Sequence, residues 1–302
     1  MKHAYTYEGA LAAAHKVNWR IEDVIGGRQL DFRKPFLPEG LARVNPLTFL
    51  TGDERRILNQ IRGHEYLVMF GLVEEFILPF VLDHARTRLN ADDDRVRAMM
   101  QFAGEEAKHI QLFKRFRRDF ESGWGGRCDV IGPPEAVAKQ VLSHDPLSVA
   151  LVILHIEWFT QKHYLESVKD NQDLDPLFKS LLKHHWMEEA QHAKLDTLMV
   201  EALASGYSKE EIGKAFDGYL DIGGFLDQGL VQQAKFNLES FTRATGRSLT
   251  TQEENRYADV QEQALRWTYL GSGMTHPNFL ETVEMLDPAL RRRLEEIAPT
   301  FC

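Results

Sequence analysis

Two glutamate–histidine pairs are the residues of this chain best suited to metal chemistry. Residues 105–109 read Glu-Glu-Ala-Lys-His, and residues 188–192 read Glu-Glu-Ala-Gln-His, 83 positions later. Positions i and i+3 of a helix share a face, so the glutamate and the histidine of a Glu-x-x-His can bind the same metal ion. Two copies in similar surroundings predict a carboxylate-bridged pair of metal ions. The pairs are Glu106 with His109 and Glu189 with His192.

Four helices are predicted to position these pairs, because helix patterns recur along the chain and strand patterns are almost absent. Asp92, Asp93 and Asp94 suit the positive N-terminus of the second helix. The Asp-Pro dipeptides at 145–146 and 175–176 each predict an N-cap followed by proline at the first helical position. The four predicted helices run from about 53 to 89, with a bend at Pro79, and from about 92 to 121, 145 to 170 and 175 to 206.

The rest of the chain is predicted to surround this four-helix core. Residues 1–50, with three prolines after position 34, look like an irregular lead segment, and residues 51–205 form the metal-binding core. Residues 206–302 are predicted to be accessory helices, and no linker divides the chain into two domains. Two of these helices are expected to open with capping boxes. The boxes are Ser208 with Glu211 and Thr251 with Glu254, and short helices are expected near 278–286 and 288–297.

A dinuclear site of this kind needs one more glutamate from each of the first and third helices. Glu157 lies in an apolar run, where an unpaired carboxylate would be costly to bury. In the first helix Glu74 and Glu75 are both candidates. Glu74 is favoured because it precedes Glu106 by 32 residues, the same offset that separates Glu157 from Glu189. Glu75 remains the alternative.

The ligand set predicts which metals the site would take. Four glutamates carry a charge of −4, which balances two divalent cations. Mixed carboxylate and imidazole ligands favour iron, with manganese or a mixed pair as alternatives, whereas zinc prefers fewer, tetrahedral ligands. No His-Glu-x-x-His sequence is present, so metalloprotease chemistry has no support.

His185, four residues before Glu189, adds a third histidine to the same helical face; His184 beside it points about 100° away. With His185-x-x-x-Glu189-x-x-His192, the sequence resembles the p-aminobenzoate N-oxygenase family over roughly residues 45–230. The Asn-Pro-Leu-Thr-Phe-Leu segment at 45–50 is also similar. The alternative is that His185 is a buried histidine that hydrogen-bonds Glu189 or Glu157. The matching positions are Glu74, Glu106, His109, Glu157, His185, Glu189 and His192.

The resemblance implies a ferritin-like four-helix bundle that binds two iron ions and uses O2 as co-substrate. It further implies oxidation of a small organic substrate, with N-oxygenation of an arylamine as the specific hypothesis. Electrons would come from a ferredoxin- or flavin-type protein, and the expected assembly is a homodimer.

Several neighbouring residues are candidates for supporting functions. Thr160, one turn past Glu157, could hydrogen-bond bound oxygen species. Tyr164, two turns past Glu157, could form a radical or donate a hydrogen bond, with simple packing as the alternative. Asp196, one turn past His192, could accept a hydrogen bond from that imidazole, or act as an exposed cap or salt-bridge partner. Glu105 and Glu188 are expected to be solvated or to pair helices. The aromatic residues near the ligands are expected to pack in the core, with the wall of a substrate pocket as the second possibility. They are Phe70, Phe102, Phe159 and Trp186.

Charge, cysteine count and hydrophobicity argue against several other classes of protein. The net charge of −9 argues against nucleic-acid or anionic-membrane partners. Two cysteines permit neither a disulfide framework nor a Cys-x-x-Cys metal site. No apolar run approaches the ~20 residues of a membrane span, and no signal-peptide core is present, so a cytoplasmic location is expected.

Three other functions remain compatible with the double motif. A ribonucleotide-reductase-small-subunit-like ligand-binding oxidase has a similar length, but Val152 stands where those oxidases look to place a tyrosine. An acyl desaturase or hydroxylase would use a longer apolar pocket. A ferritin-like iron-binding protein is the non-enzyme alternative, although ferritin subunits are about half this length.

Overall fold

The computed structural model describes residues 3–87, 89–90 and 93–302. Within these ranges no residue is in a strand, which confirms the predicted all-α fold. The helices are α1 Tyr7–Ala14, α2 Ile21–Ile25, α3 Glu39–Ala42, α4 Gly52–Arg86, α5 Asp93–Trp124, α6 Pro134–Val141, α7 Pro146–His163, α8 Pro176–Ala204, α9 Lys209–Thr245, α10 Thr251–Arg266, α11 Ser272–Met274, α12 Pro277–Leu286 and α13 Pro288–Ile297.

Helices α4, α5, α7 and α8 form a four-helix bundle. α4 packs along α5, α7 packs along α8, and α5 closes the bundle against α8. Accessory helices cover its sides: α9 packs on both α4 and α7, α10 on α9, and α1 on α5 and α8. The bundle therefore has an interior that is shielded from solvent on several sides, as a reactive metal site requires.

The predicted helix starts are largely confirmed. Thr51 caps α4, with its hydroxyl accepting from the Glu54 N–H at 3.2 Å. Asp145 and Asp175 cap α7 and α8, and a proline occupies the first position of each helix. The capping box of Ser208 with Glu211 opens α9.

The capping box predicted for Thr251 and Glu254 is wrong by one residue. The cap of α10 is Thr250, whose N–H donates to the carboxylate of Glu253 at 2.8 Å. Thr250 and Thr251 are followed three residues later by Glu253 and Glu254, so the sequence allows a capping box in either frame.

Other boundaries differ modestly from the prediction. The lead segment contains three short helices, α1 to α3. A further helix, α6, follows the glycine-rich loop after α5 and has Pro134 at its first position, where proline is tolerated. Asp93 and Asp94 lie in the first turn of α5, whereas Asp92 lies outside the described residues. Pro79 lies inside α4, which ends at Arg86.

Two helices continue into single π-helical turns. α7 is followed by Tyr164–Val168 and α10 by Trp267–Gly271. Such turns insert one extra residue into the helical repeat and are frequent at functional sites. The third predicted helix, ending near 170, therefore consists of α7 and its π-helical turn.

None of the helices in the described part of the chain combines the length and the apolar character needed to cross a bilayer.

Candidate metal centre

The residues predicted as metal ligands converge in the bundle interior, where each is at most 2% exposed. α4 and α7 contribute one glutamate each, α5 contributes one glutamate and one histidine, and α8 contributes one glutamate and two histidines. Burying so many ionisable groups would be very costly without compensating charge. These residues are Glu74, Glu106, His109, Glu157, His185, Glu189 and His192.

Four of them form a first group that could hold a metal ion. One candidate ligand atom from each of Glu74, His109, His185 and Glu189 lies within 4.8 Å of the others. His185 Nε2 is 3.3 Å from Glu74 Oε1 and also contacts Glu189 Oε1. His109 Nδ1 lies 3.3 Å from Glu189 Oε1.

A second group overlaps the first and consists of Glu106, His109, Glu189 and His192. His192 Nδ1 lies 2.8 Å from Glu106 Oε1 and 2.6 Å from Glu189 Oε2. His109 Nδ1 lies 3.5 Å from Glu106 Oε2. Because His109 and Glu189 belong to both groups, the two positions are adjacent, as in a dinuclear centre.

Glu157 belongs to neither group but lies beside them. Its buried carboxyl group interacts with Glu189, and one of its oxygens has no hydrogen-bond partner. Burial, followed by the negative charges of Glu189 and Glu106, raises the pKa of Glu157 well above its ordinary value. Neighbouring buried carboxylates of this kind require either a shared proton or a cation.

The two open choices between neighbouring residues are decided by orientation. Glu74 is buried, whereas the Glu75 side chain is 24% exposed and lies 3.5 Å from Lys114 Nζ. His184 Nδ1 hydrogen-bonds the Ser180 carbonyl at 2.7 Å, so that ring is not directed to the centre. The geometry therefore favours Glu74 over Glu75, and His185 over His184.

The histidine of each Glu-x-x-His motif is oriented by a glutamate on the helix that carries the other motif. His109 Nε2 lies 2.9 Å from Glu188 Oε2, and His192 Nε2 lies 2.7 Å from Glu105 Oε2. The imidazoles donate in both bonds because a carboxylate can only accept. Each Nδ1 therefore faces the interior, where a neutral ring would offer its lone pair to a metal.

Glu105 and Glu188 are buried helix-pairing residues, so the expectation that they could be solvated is wrong. Their partnership with the histidines was missed from the sequence. The available sign was the repeat itself, because each stands immediately before a predicted ligand and points across to the histidine of the other copy.

Asp196 is buried, and neither of its oxygens has a hydrogen-bond partner, so the predicted acceptor role toward His192 and the predicted exposed cap are both wrong. Burial raises the pKa of Asp196 well above its ordinary value, and the nearby charge of His192 opposes that rise. This carboxyl group lies beside the second ligand group but is not one of its candidate ligands.

Thr160 and Tyr164 make contacts that are compatible with packing. The Thr160 hydroxyl donates to the Ile156 carbonyl at 3.0 Å, and Tyr164 stacks on Trp186 with ring centroids 4.3 Å apart. A second phenol, Tyr66, is buried and is affected by the charge of a candidate ligand. Burial and then the charge of Glu189 raise the pKa of Tyr66, and its hydroxyl lies 3.3 Å from His163 Nδ1.

The residues present fit a pair of divalent metal ions. The donor set combines four buried glutamates with three histidines, and one carboxylate oxygen of Glu74 has no hydrogen-bond partner. Burial lowers the pKa of His109, but Glu189, Glu106 and Glu188 together raise it to about 10. The same negative field would attract metal cations in place of that proton.

Comparison with known proteins identifies the fold. No protein-family model matches the sequence, and no curated protein matches it. Among solved structures, a single-site mutant of an R2-like ligand-binding oxidase with a Mn/Fe cofactor superposes with a TM-score of 0.52 at 13% identity, covering 92% of this chain and 98% of that one. A second mutant of such an oxidase, with an Fe/Fe cofactor, gives a TM-score of 0.50 at 13% identity, covering 92% and 93%. The chain therefore has the ferritin-like helical fold of these oxidases.

Proposed function

We propose that this protein is a non-haem dimetal oxidoreductase that activates O2 to oxidise a small organic substrate. The observation that carries the proposal is the pair of overlapping ligand groups, which share His109 and Glu189 inside a ferritin-like bundle. Sites that mix carboxylate and imidazole ligands suit iron and manganese, so two iron ions are the first expectation and a Mn/Fe pair the second. The structural neighbours with Mn/Fe and Fe/Fe cofactors support that assignment.

The protein's own residues would hold and orient these ions. When bound in the reduced state, the two ions would supply the electrons for the reduction of O2. Glu189 lies between His109 and His192 and would hold metal with either oxygen, while Glu105 and Glu188 fix the rings of His192 and His109. The bundle excludes bulk water, which protects a reactive intermediate from side reactions.

The finer proposal is N-oxygenation of an arylamine, and it is supported by His185 in the first ligand group. An R2-like ligand-binding oxidase is the second candidate, supported by the superposition over almost the whole chain. An external ferredoxin- or flavin-type donor and a homodimer remain predictions.

The general proposal is tested by loading the protein with Fe(II) under anaerobic conditions and counting bound metal. Two ions per chain, followed by uptake of O2 on exposure to air, are expected. Glu189→Ala should bind no more than one ion, with Glu75→Ala as the matched control that keeps both. A wild-type protein that retains no transition metal after loading would overturn the proposal.

The N-oxygenation proposal needs a separate product assay. Reduced, iron-loaded protein is mixed with O2 and a panel of arylamines, and hydroxylamine products are sought by mass spectrometry. Failure with every amine would remove this reaction but leave the dimetal assignment standing. Native mass measurement distinguishes a dimer from the large shell expected of an iron-storage protein.

A further inference from the structure

A cavity of about 330 Å³ lies against the outer side of the bundle, between α4, α7 and α9. Its volume falls in the range of small-molecule sites, about 300–1,000 Å³. α4 contributes Met69, Leu72 and Val73, and α7 contributes Ile156 and Phe159. Accessory helix α9 thus forms a wall opposite the two bundle helices that carry single glutamates.

The cavity adjoins the candidate metal centre. Val73 and Ile156 line it, and each is followed directly by a proposed ligand, Glu74 and Glu157. Phe159 forms part of the cavity wall and meets the edge of Phe70 at a centroid distance of 5.9 Å. The Phe70 ring in turn lies 5.0 Å from the His185 ring. Two phenyl rings therefore separate the cavity from that ligand.

The chemistry of the lining restricts what can bind. The described residues that form it include no aspartate, glutamate, histidine, lysine or arginine. Its polar side chains are the amides of Gln228 and Gln232 on α9, both exposed at the rim, and the phenol of Tyr269. The Tyr269 hydroxyl already donates to Glu65 Oε1 at 2.7 Å. A carboxylate placed here would lose its hydration and gain no cationic partner.

We propose that this cavity is the substrate site and that it takes an uncharged, mainly apolar organic molecule. The inference rests on the proposed function and narrows it, because it excludes aminobenzoate and fatty-acid anions as the preferred substrates. One neutral polar substituent can hydrogen-bond the rim glutamines while the apolar body packs on Phe159 and Ile156. The Phe159 and Phe70 rings then control the approach of the bound molecule to the metal centre.

Matched probes test the charge preference. Methyl 4-aminobenzoate is compared with 4-aminobenzoate, and 1-octanol with octanoate, by equilibrium dialysis at pH 7.5 with metal-free and with iron-loaded protein. At least one neutral probe is expected to bind at least about tenfold more tightly than its anion. Equal or tighter binding of both anions, or no binding of either neutral probe, would overturn the proposal.

Variants on α9 locate the binding without touching the metal ligands. Leu226→Trp should fill the cavity and weaken binding of the neutral probe at least about tenfold, whereas Leu220→Trp, on the same helix but outside the cavity, should not. Gln232→Arg should shift the preference toward the anion. Unchanged binding in Leu226→Trp would place the probe elsewhere and overturn the assignment.

Metal counting on the same samples keeps the two proposals separable. A protein that binds two metal ions but fails the probe tests loses only the cavity assignment. A protein that binds the neutral probe but no metal loses the dimetal proposal.

Discussion

The candidate centre has two halves, one around His109 and the other around His192. Both come from the same sequence repeat, but different residues surround the two histidines. An offset of 83 residues relates Glu105 to Glu188, Glu106 to Glu189 and His109 to His192. In both halves the histidine directs Nδ1 to the interior and Nε2 to a carboxylate of the other repeat. The repeat therefore places one glutamate–histidine pair in each half.

The first difference between the halves is an extra imidazole. His185, in the His109 half, contacts Glu74 and Glu189, whereas its counterpart 83 residues earlier is Phe102. Phe102 stacks on His192 with ring centroids 4.1 Å apart. One half thus gains a nitrogen donor, and the other gains an apolar wall against its histidine.

The second difference lies behind the histidines. Glu188, the partner of His109, also contacts Lys108 Nζ, whereas Glu105, the partner of His192, accepts from the neutral amide of Gln101 at 2.8 Å. A cation behind one carboxylate reduces the negative charge that reaches the metal on that side. The asymmetry teaches that a duplicated motif can hold two chemically unequal metal positions, and each difference can be tested.

The largest effect is expected from Glu189, which contacts all three histidines of the ligand groups. Glu189→Ala should reduce bound iron from two ions per chain to one or none, measured by elemental analysis after anaerobic loading and desalting. Glu106→Ala, which belongs to the second group only, should lose less. Equal losses in the two variants would contradict the sharing of Glu189 between both halves.

Removal of the extra imidazole should separate the halves. His185→Ala should lower the bound iron toward one ion per chain, because only the first group uses this residue. His184→Ala is the matched control, since its ring hydrogen-bonds Ser180 and should leave two ions bound. Retention of both ions at wild-type affinity in His185→Ala would make His185 a packing residue.

The carboxylates behind the histidines should have smaller effects on affinity. Glu105→Gln and Glu188→Gln should each weaken metal binding by about 10–100-fold in competition with a chelator. Glu188→Gln should weaken mainly the ion that His109 would hold, and Glu105→Gln mainly the ion that His192 would hold. A pair of identical binding curves would show that the halves behave alike.

The smallest effect is expected from Lys108. Lys108→Met removes a positive charge near two dications, so metal affinity should rise about two- to fivefold. Gln101→Met changes no charge and should leave affinity within experimental error. Weaker metal binding in Lys108→Met would mean that Lys108 acts mainly by holding Glu188 in place, and chelator competition distinguishes these results.

The bundle and the convergence of the candidate ligands were predictable because local rules and a repeat agree. The i, i+3 spacing, the Asp-Pro starts and the apolar run around Glu157 all depend on short stretches of sequence. The frame of the α10 cap was not predictable, since Thr250 and Thr251 satisfy the same rule. Helix α6 was missed because its first residues resemble the loop that precedes it.

Contacts between distant segments could not be predicted from one sequence. Lys108 meets Glu188 only because α5 and α8 pack in one register, and 80 residues separate them in the chain. Asp196 is buried without a hydrogen-bond partner, an arrangement that local sequence rules do not anticipate. The neutral cavity likewise depends on where α9 crosses α4 and α7.

Trp19 connects the amino-terminal segment with the chemistry of the bundle. Its ring stacks on His109 at a centroid distance of 6.0 Å, and Lys108 Nζ lies 3.9 Å above the same indole. A shortened protein beginning at α4 would leave that imidazole uncovered and its neighbouring ammonium group without its aromatic platform. Removing the residues before α4 would therefore change the surroundings of His109, although every candidate ligand would remain in the chain.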